Sequence, residues 1–150
     1  MAKKPKIEIL NRKAGFNYHA DAKYTAGLML LGTEVKSIRA GNVNMGDAYA
    51  VMDSGELWLR NLHISPFAQG SFGQHEPLRD RKLLLTQKEL KKIGVALKNV
   101  GIAAFPIRLF ENEKGLFKLE LGVGAGKKMH DKREDLKTKD VEREIARFKH

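Results

Sequence analysis

Ala48-Tyr49-Ala50-Val51-Met52-Asp53-Ser54-Gly55-Glu56-Leu57-Trp58-Leu59-Arg60-Asn61-Leu62 is the stretch from which the fold follows. Residues 48–52 and 56–62 are strand-like runs, and Asp53-Ser54-Gly55 between them is a tight-turn sequence, so the segment reads as a β-hairpin. The alternation about Trp58 predicts that its ring, like that of Tyr49, belongs to the core. A second hairpin is expected from residues 102–110 and 116–121, turning through residues 112–115. Pro106 has no N–H to give a ladder, which predicts an edge or a bulge there. Upstream, Tyr24, Ala26, Leu28 and Leu30 alternate with Thr25, Gly27 and Met29, so residues 24–31 read as another strand. Residues 82–85 are a short apolar run. Several short strands with turns between them predict a mainly β chain with helices: a small antiparallel sheet or barrel.

Two helices fit around these strands. Thr33 can cap a short one through Arg39, closed by Gly41. Thr86 and Glu89 form a capping box that starts the other. Leu90, Ile93, Leu97 and Val100 share one face of it, and Gly101 stops it. Residues 66–77 read as a long loop, and residues 1–14 as a loose basic arm. Gly122, Gly124 and Gly126 predict a flexible joint. The expected organisation is therefore a core over 1–126, including the arm, and a tail over 127–150. The tail carries nine Lys/Arg and six Asp/Glu, with only a thin apolar stripe of Leu136, Val141, Ile145 and Phe148. Such a segment is expected to be disordered when free and helical when bound.

Composition narrows the function. The net charge of +10 and pI near 9.8 favour a polyanionic partner. No apolar run approaches the length of a membrane span. Met1-Ala2-Lys3-Lys4-Pro5-Lys6 is basic, but no apolar segment follows, so a secretory signal is not expected. The absence of Cys removes disulfides, thiolate nucleophiles and Cys-ligated metal centres. His19, His63, His75, His130 and His150 include no i, i+4 metal pair, and no Ser/His/Asp grouping sits in an elbow context. The glycines near 122–126 lack the spacing of a phosphate loop. Neither an enzyme nor a resident cofactor is expected. The basic clusters Asn11-Arg12-Lys13, Arg79-Asp80-Arg81-Lys82, and Lys127-Lys128 with Lys132-Arg133 fall in or beside loops and arms. Phe16, Tyr18, Trp58, Phe67 and Phe72 lie close by. Cations neutralise phosphates and exposed rings stack on unpaired bases, so RNA or DNA binding is the expected function.

One set of motifs is more specific. Asn11-Arg12-Lys13-Ala14 is followed by Gly32-Thr33-Glu34-Val35-Lys36-Ser37-Ile38-Arg39-Ala40-Gly41. Glu56-Leu57-Trp58-Leu59 comes next, with Asn61 and His63-Ile64-Ser65-Pro66. Then come Arg81-Lys82-Leu83-Leu84-Leu85 and Gly126-Lys127-Lys128-Met129-His130-Asp131-Lys132-Arg133. In this order and spacing the chain resembles the SsrA-binding protein family, partners of transfer-messenger RNA (tmRNA) in bacterial ribosome rescue. The resemblance implies an OB-fold-like barrel with flanking helices. It implies a monomeric, cytoplasmic, membrane-free protein that holds the tRNA-like domain of tmRNA. The tail would occupy the empty decoding site and mRNA channel of the stalled small subunit.

Carried over by position, Asn11, Arg12, Lys13, Phe16, Glu34, Lys36, Arg39, Asn61, His63, Lys127 and Lys128 would contact tmRNA. His130, Asp131, Lys132, Arg133 and Lys137 would act in the ribosome. Glu34 cannot bind phosphate, so it would accept hydrogen bonds from base amino groups or orient a basic neighbour. Four positions depart from the family pattern: Phe16 stands for a common His, Thr25 for Glu, Ala125 for a basic residue and Val141 for Trp. The alternative is a general oligonucleotide-binding or RNA-chaperone protein, which would share the barrel and charge without needing a defined tail.

Overall fold

The computed structural model describes residues 7–67 and 75–127. Among the described residues, nine strands and three helices run in the order β1 (Glu8–Leu10), α1 (Arg12–Asn17), β2 (Ala22–Leu28), α2 (Gly32–Arg39), β3 (Val43–Asn44), β4 (Tyr49–Asp53), β5 (Glu56–Arg60), β6 (His63–Ile64), β7 (Arg81–Leu84), α3 (Gln87–Leu97), β8 (Ile102–Glu111) and β9 (Phe117–Ala125). The sheet order β8-β4-β5-β7-β2-β9 returns to β8, so six strands close into an antiparallel barrel. The expected antiparallel barrel is therefore present, with one strand more than the five of an OB-fold. β1 adds to the outside of this ring on β8, and β3 pairs with β6 as a separate two-stranded ladder.

The local signals explain the elements. In the first hairpin Asp53 pairs with Glu56, while Ser54 and Gly55 take positive φ at the turn. For α3, the Thr86 hydroxyl accepts from the Glu89 N–H at 3.3 Å and the Glu89 carboxylate accepts from the Thr86 N–H at 3.1 Å. The register of β8 on β9 shifts between Pro106 and Arg108, which is the bulge the proline predicts. That kink splits β8: Ala104 pairs with β4, whereas residues 108–110 pair with β1 on the other side of the kink.

Inside the barrel, Leu57, Leu59, Leu109, Leu119 and Leu121 are fully enclosed, with Ile38 of α2 and Ile93 of α3. Each such side chain contributes roughly 1.5–3 kcal/mol by leaving water. Four expectations need correcting. Residues 8–17 are a strand and a helix, not a loose arm; residues 1–6 lie outside the described part. Val100 is fully exposed, so the apolar face of α3 ends at Leu97. The glycines near 122–126 are not a joint. Gly122 and Gly124 are buried in β9, paired to β2 and β8, and Gly126 bridges Tyr18.

The fourth correction is Trp58. Leu57 and Leu59 point inward, so Trp58 lies on the outer face, half-buried between Val51 and Lys82; Tyr49 is exposed. Trp58→Ala should therefore cost roughly 1–2 kcal/mol, well short of the 3–5 of a buried tryptophan, while Leu57→Ala costs about 2–5. Urea midpoints of the two variants check this; a tryptophan variant the less stable of the pair would put its ring back in the core.

Candidate nucleic-acid interface

Three surface elements adjoin at one side of the barrel. α1 is short and is tied down at its start: the Asn11 amide donates to Met45 O at 3.2 Å and Pro106 O at 2.8 Å, and its backbone N–H reaches Ile107 O. Ala14 is buried beneath it, so Arg12 and Lys13 face outward. Lys13 lies 3.9 Å from the Asp47 carboxylate, both in solvent. An ion pair so exposed contributes little, which leaves Lys13 available to phosphate. The segment 43–47 links this corner to the next. Asn44 pairs with His63, which is exposed beside exposed Asn61, itself at φ 61°. β6 in turn packs on α2.

α2 presents Lys36 and Arg39 to solvent because Ser37 and Ile38 are its buried side. The Lys36 ammonium stands 5.6 Å above the centre of the Phe67 ring. The Arg39 guanidinium lies 3.5 Å from the buried Glu111 carboxylate and 6.0 Å from the Phe117 ring centre. These partners fix where the two charges stand without burying them. The arrangement offers a row of cations with polar side chains between them, which suits the backbone of a structured RNA better than any small ligand.

Beneath α2 sits a buried charge cluster that sequence reasoning did not find. Glu34 and Arg81 are both fully enclosed. Glu34 accepts from Arg79 at 2.6 Å, from Arg81 Nε at 2.6 Å and from the Leu31 N–H at 2.7 Å, which caps α2. Arg81 also donates to the carbonyls of Leu62, Glu76 and Pro77. Burial by itself raises the Glu34 pKa, but the hydrogen bonds from Arg79, Leu31 and Arg81 outweigh it and hold the carboxyl below its ordinary value. Burial likewise lowers the Arg81 pKa, with Glu34 opposing that shift.

Of the two roles expected of Glu34, contact with bases is corrected, because the carboxylate touches no solvent, whereas its bond to Arg79, which stays partly exposed, fits the orienting of a basic neighbour. The 79–82 run is a structural clamp more than a loose basic patch. Tyr18 is also committed to the fold, stacked on buried Phe105 at 4.5 Å. His75 is buried, with one ring nitrogen on Ile64 O and the other on the Thr33 hydroxyl. Lys127 lies at the far end of α1, where its N–H reaches Asn17 O. Lys128, His130, Asp131, Lys132, Arg133 and Lys137 lie outside the described residues, as does Phe72. A further basic row was missed: Lys88, Lys91, Lys92 and Lys98 are exposed along α3. Lys88 with Lys91 and Lys92, three and four residues on, was the available signal.

Comparison with known proteins bears on these surfaces. The family described as "SmpB protein" matches residues 8–150. The SsrA-binding protein of Bacteroides thetaiotaomicron is 48% identical over 146 residues, covering 97% of both chains. That of Phocaeicola vulgatus is 49% identical over 142 residues, covering 95% of both. A Bacillus cereus SsrA-binding protein is 49% identical, covering 95% of this chain and 91% of its own. Among solved structures, a chain described as "tmRNA-SmpB: a journey to the center of the bacterial ribosome" superposes with a TM-score of 0.70 at 38% identity. It covers 86% of this chain and 94% of its own.

Proposed function

We propose that this chain, which belongs to the SmpB family of SsrA-binding proteins, binds the tRNA-like domain of tmRNA and delivers it to stalled ribosomes for trans-translation. The observation that carries the reading is the family match over residues 8–150, nearly the whole chain. The surface of α1, α2 and β6 supports it. Arg12, Lys13, Lys36 and Arg39 supply phosphate contacts, while Asn61 and His63 lie between them to meet bases or sugars. Asn11 and Glu34 serve from behind, the first by fixing α1 and the second by holding Arg79. The role is that of a cytoplasmic adaptor, with no reaction assigned to the chain itself.

Removing one phosphate contact should lower the salt slope of binding by about one unit. Lys36→Ala and Arg39→Ala should each do so against the isolated tRNA-like domain, with the fold retained. Titrations at several salt concentrations measure it, and an unchanged slope in both variants would move the interface off α2.

The tail would act in a second step. His130, Asp131, Lys132, Arg133 and Lys137 are suited to an empty decoding site lined by phosphates and exposed bases, folding as they bind. Truncation after Lys128 should leave tmRNA binding nearly intact and abolish tagging of stalled peptides. Replacing Asp131, Lys132 and Arg133 together with Ala removes two cations and one anion, a net loss of one charge. Tagging at the normal rate by that variant in a reconstituted translation system would reduce the tail to a nonspecific arm.

A further inference from the structure

β4 and β8 share a single registered pair, Ala50 with Ala104. α3 packs on β8 beside that opening, and between the helix and the two strands runs an open groove of about 880 Å³. Gln87, Leu90, Lys91, Gly94, Val95 and Lys98 line one wall of it, a stripe of helical spacing that follows α3 from end to end. Met52 and Ile102 contribute apolar surface from the strands. Val95 is 64% exposed in it, and among the described residues nothing covers it. We infer that this groove docks an acidic amphipathic helix of another protein.

Three observations select that occupant. The first is shape. The 11 residues of α3 make a trough roughly 16 Å long, which is about three helical turns. It is open along its side, so an occupant buries one face and keeps the other in water. Small ligands are enclosed over most of their surface, whereas a helix with an apolar stripe suits a trough. The second is Gly94. A glycine inside a helix weakens it, and the packing here does not require one. An added Cβ would meet only Met52 Cε, at 3.8 Å, an ordinary contact. The missing side chain leaves a hollow between Lys91 and Lys98, where a crossing helix can come close to the backbone.

The third is charge. Lys88, Lys91, Lys92 and Lys98 are exposed and have no ion pair among the described residues. Lys91 and Lys98 stand on the groove itself, with Val95 between them. Carboxylates beside the apolar stripe of the occupant would meet this row, which fixes both its side and its direction. Two other occupants fit less well. A second copy of the chain would bring cations to cations, because each described helix is basic on balance: Arg12 and Lys13 on α1, Lys36 and Arg39 against Glu34 on α2, and three lysines against Glu89 on α3. RNA would satisfy the lysines but leave the apolar floor without partners, since Tyr49 is the one aromatic side chain among the described lining residues. The inference uses none of the residues assigned to the tRNA-like domain and stands or falls apart from that reading.

The test is a phage-displayed library of helical peptides about 16 residues long, randomised on one face and panned against the full-length protein. The selected peptides should carry Leu, Phe or Met at i, i+4 and i+7, with Asp or Glu beside them. Val95→Glu, at an exposed position, should weaken binding of the synthesised peptide about tenfold or more, and so should Lys91→Glu combined with Lys98→Glu. Gly94→Ala should weaken it too while raising the melting temperature, a pairing that a glycine needed only by the fold does not give. No enrichment, or selected peptides that are basic or lack the apolar stripe, would overturn the inference. Equal binding by a scrambled peptide of the same composition would also overturn it, reducing the contact to unspecific attraction toward a chain of net charge +10. Val95→Glu should keep the parent's affinity for the tRNA-like domain, and a loss there as large as the loss for the peptide would give the groove to RNA instead.

Discussion

Glu34→Ala should destabilise the protein by about 3–5 kcal/mol, because it leaves Arg81 charged, enclosed and without its counter-ion. Against a typical total of about 5–15 kcal/mol, that is enough to threaten folding at growth temperature. The substitution also uncaps α2 at Leu31 and frees Arg79. The pH dependence has a definite sign. The Glu34 pKa is lower folded than unfolded, so its contribution is complete above the unfolded carboxyl pKa and is lost as pH falls through the folded one. The parent should lose more stability on acidification than Glu34→Gln does. Urea unfolding of both at neutral and acid pH measures this; equal acid sensitivity would mean that the carboxylate is not what the two arginines hold. Arg81→Met should cost a comparable amount, and the double variant less than the two single costs added together, since the pair fails as a unit.

Gly124→Ala should prevent the barrel from closing. A Cβ at this position would lie 1.7 Å from the backbone oxygen of His19 and 3.0 Å from the Asp21 nitrogen, neither of which a side-chain rotation can move. The hydrogen bonds from His19 to Ala125 and from Asp21 to Val123 hold the two strands at that distance. The expected result is a loss larger than the 1–3 kcal/mol usual for overpacking, seen as insoluble or molten protein. Gly122→Ala should be intermediate, because its clash is with the ring of Phe105 at 2.6 Å, which can shift at the expense of its stack on Tyr18. Gly126→Ala meets only Asn17 O at 3.9 Å and should change stability by no more than about 0.5 kcal/mol. Melting curves of the three in parallel give the order, and equal tolerance at all three positions would restore the flexible joint.

What could be read from the residues alone were features whose cause is local. Asp53-Ser54-Gly55, the Thr86–Glu89 box, Gly41 and Gly101 at positive φ, and the bulge at Pro106 all arise within a few residues of their signal. β1 escaped because nothing near Glu8–Leu10 announces a partner about a hundred residues away. Glu56-Leu57-Trp58-Leu59-Arg60 has three apolar residues in succession, so alternation fits either phase, and only the barrel decides that the leucines face inward. Gly122 and Gly124 looked like freedom because the groups that require glycine there, Phe105 and His19, are supplied by other strands. The exposed cations of the candidate interface were legible as charge in a motif. That Glu34 and Arg81 are hidden was not, because a buried ion pair and a solvated one have the same spelling.

The closure of β2 against β9 also sets a timetable. Ala22 pairs with Val123 and Ala26 with Leu119, so the barrel cannot shut until almost the whole core has been synthesised. At about 5–20 residues per second, the first of these strands waits roughly 5–20 s for its partner. Throughout that interval Ala26 and Leu28 have β7 at most as a neighbour, and before residue 84 not even that. Ladders between such distant segments also make folding slow. A nascent chain of this protein is thus exposed to chaperones and proteases for most of its own translation, and a pause in elongation before residue 117 would prolong that exposure in direct proportion.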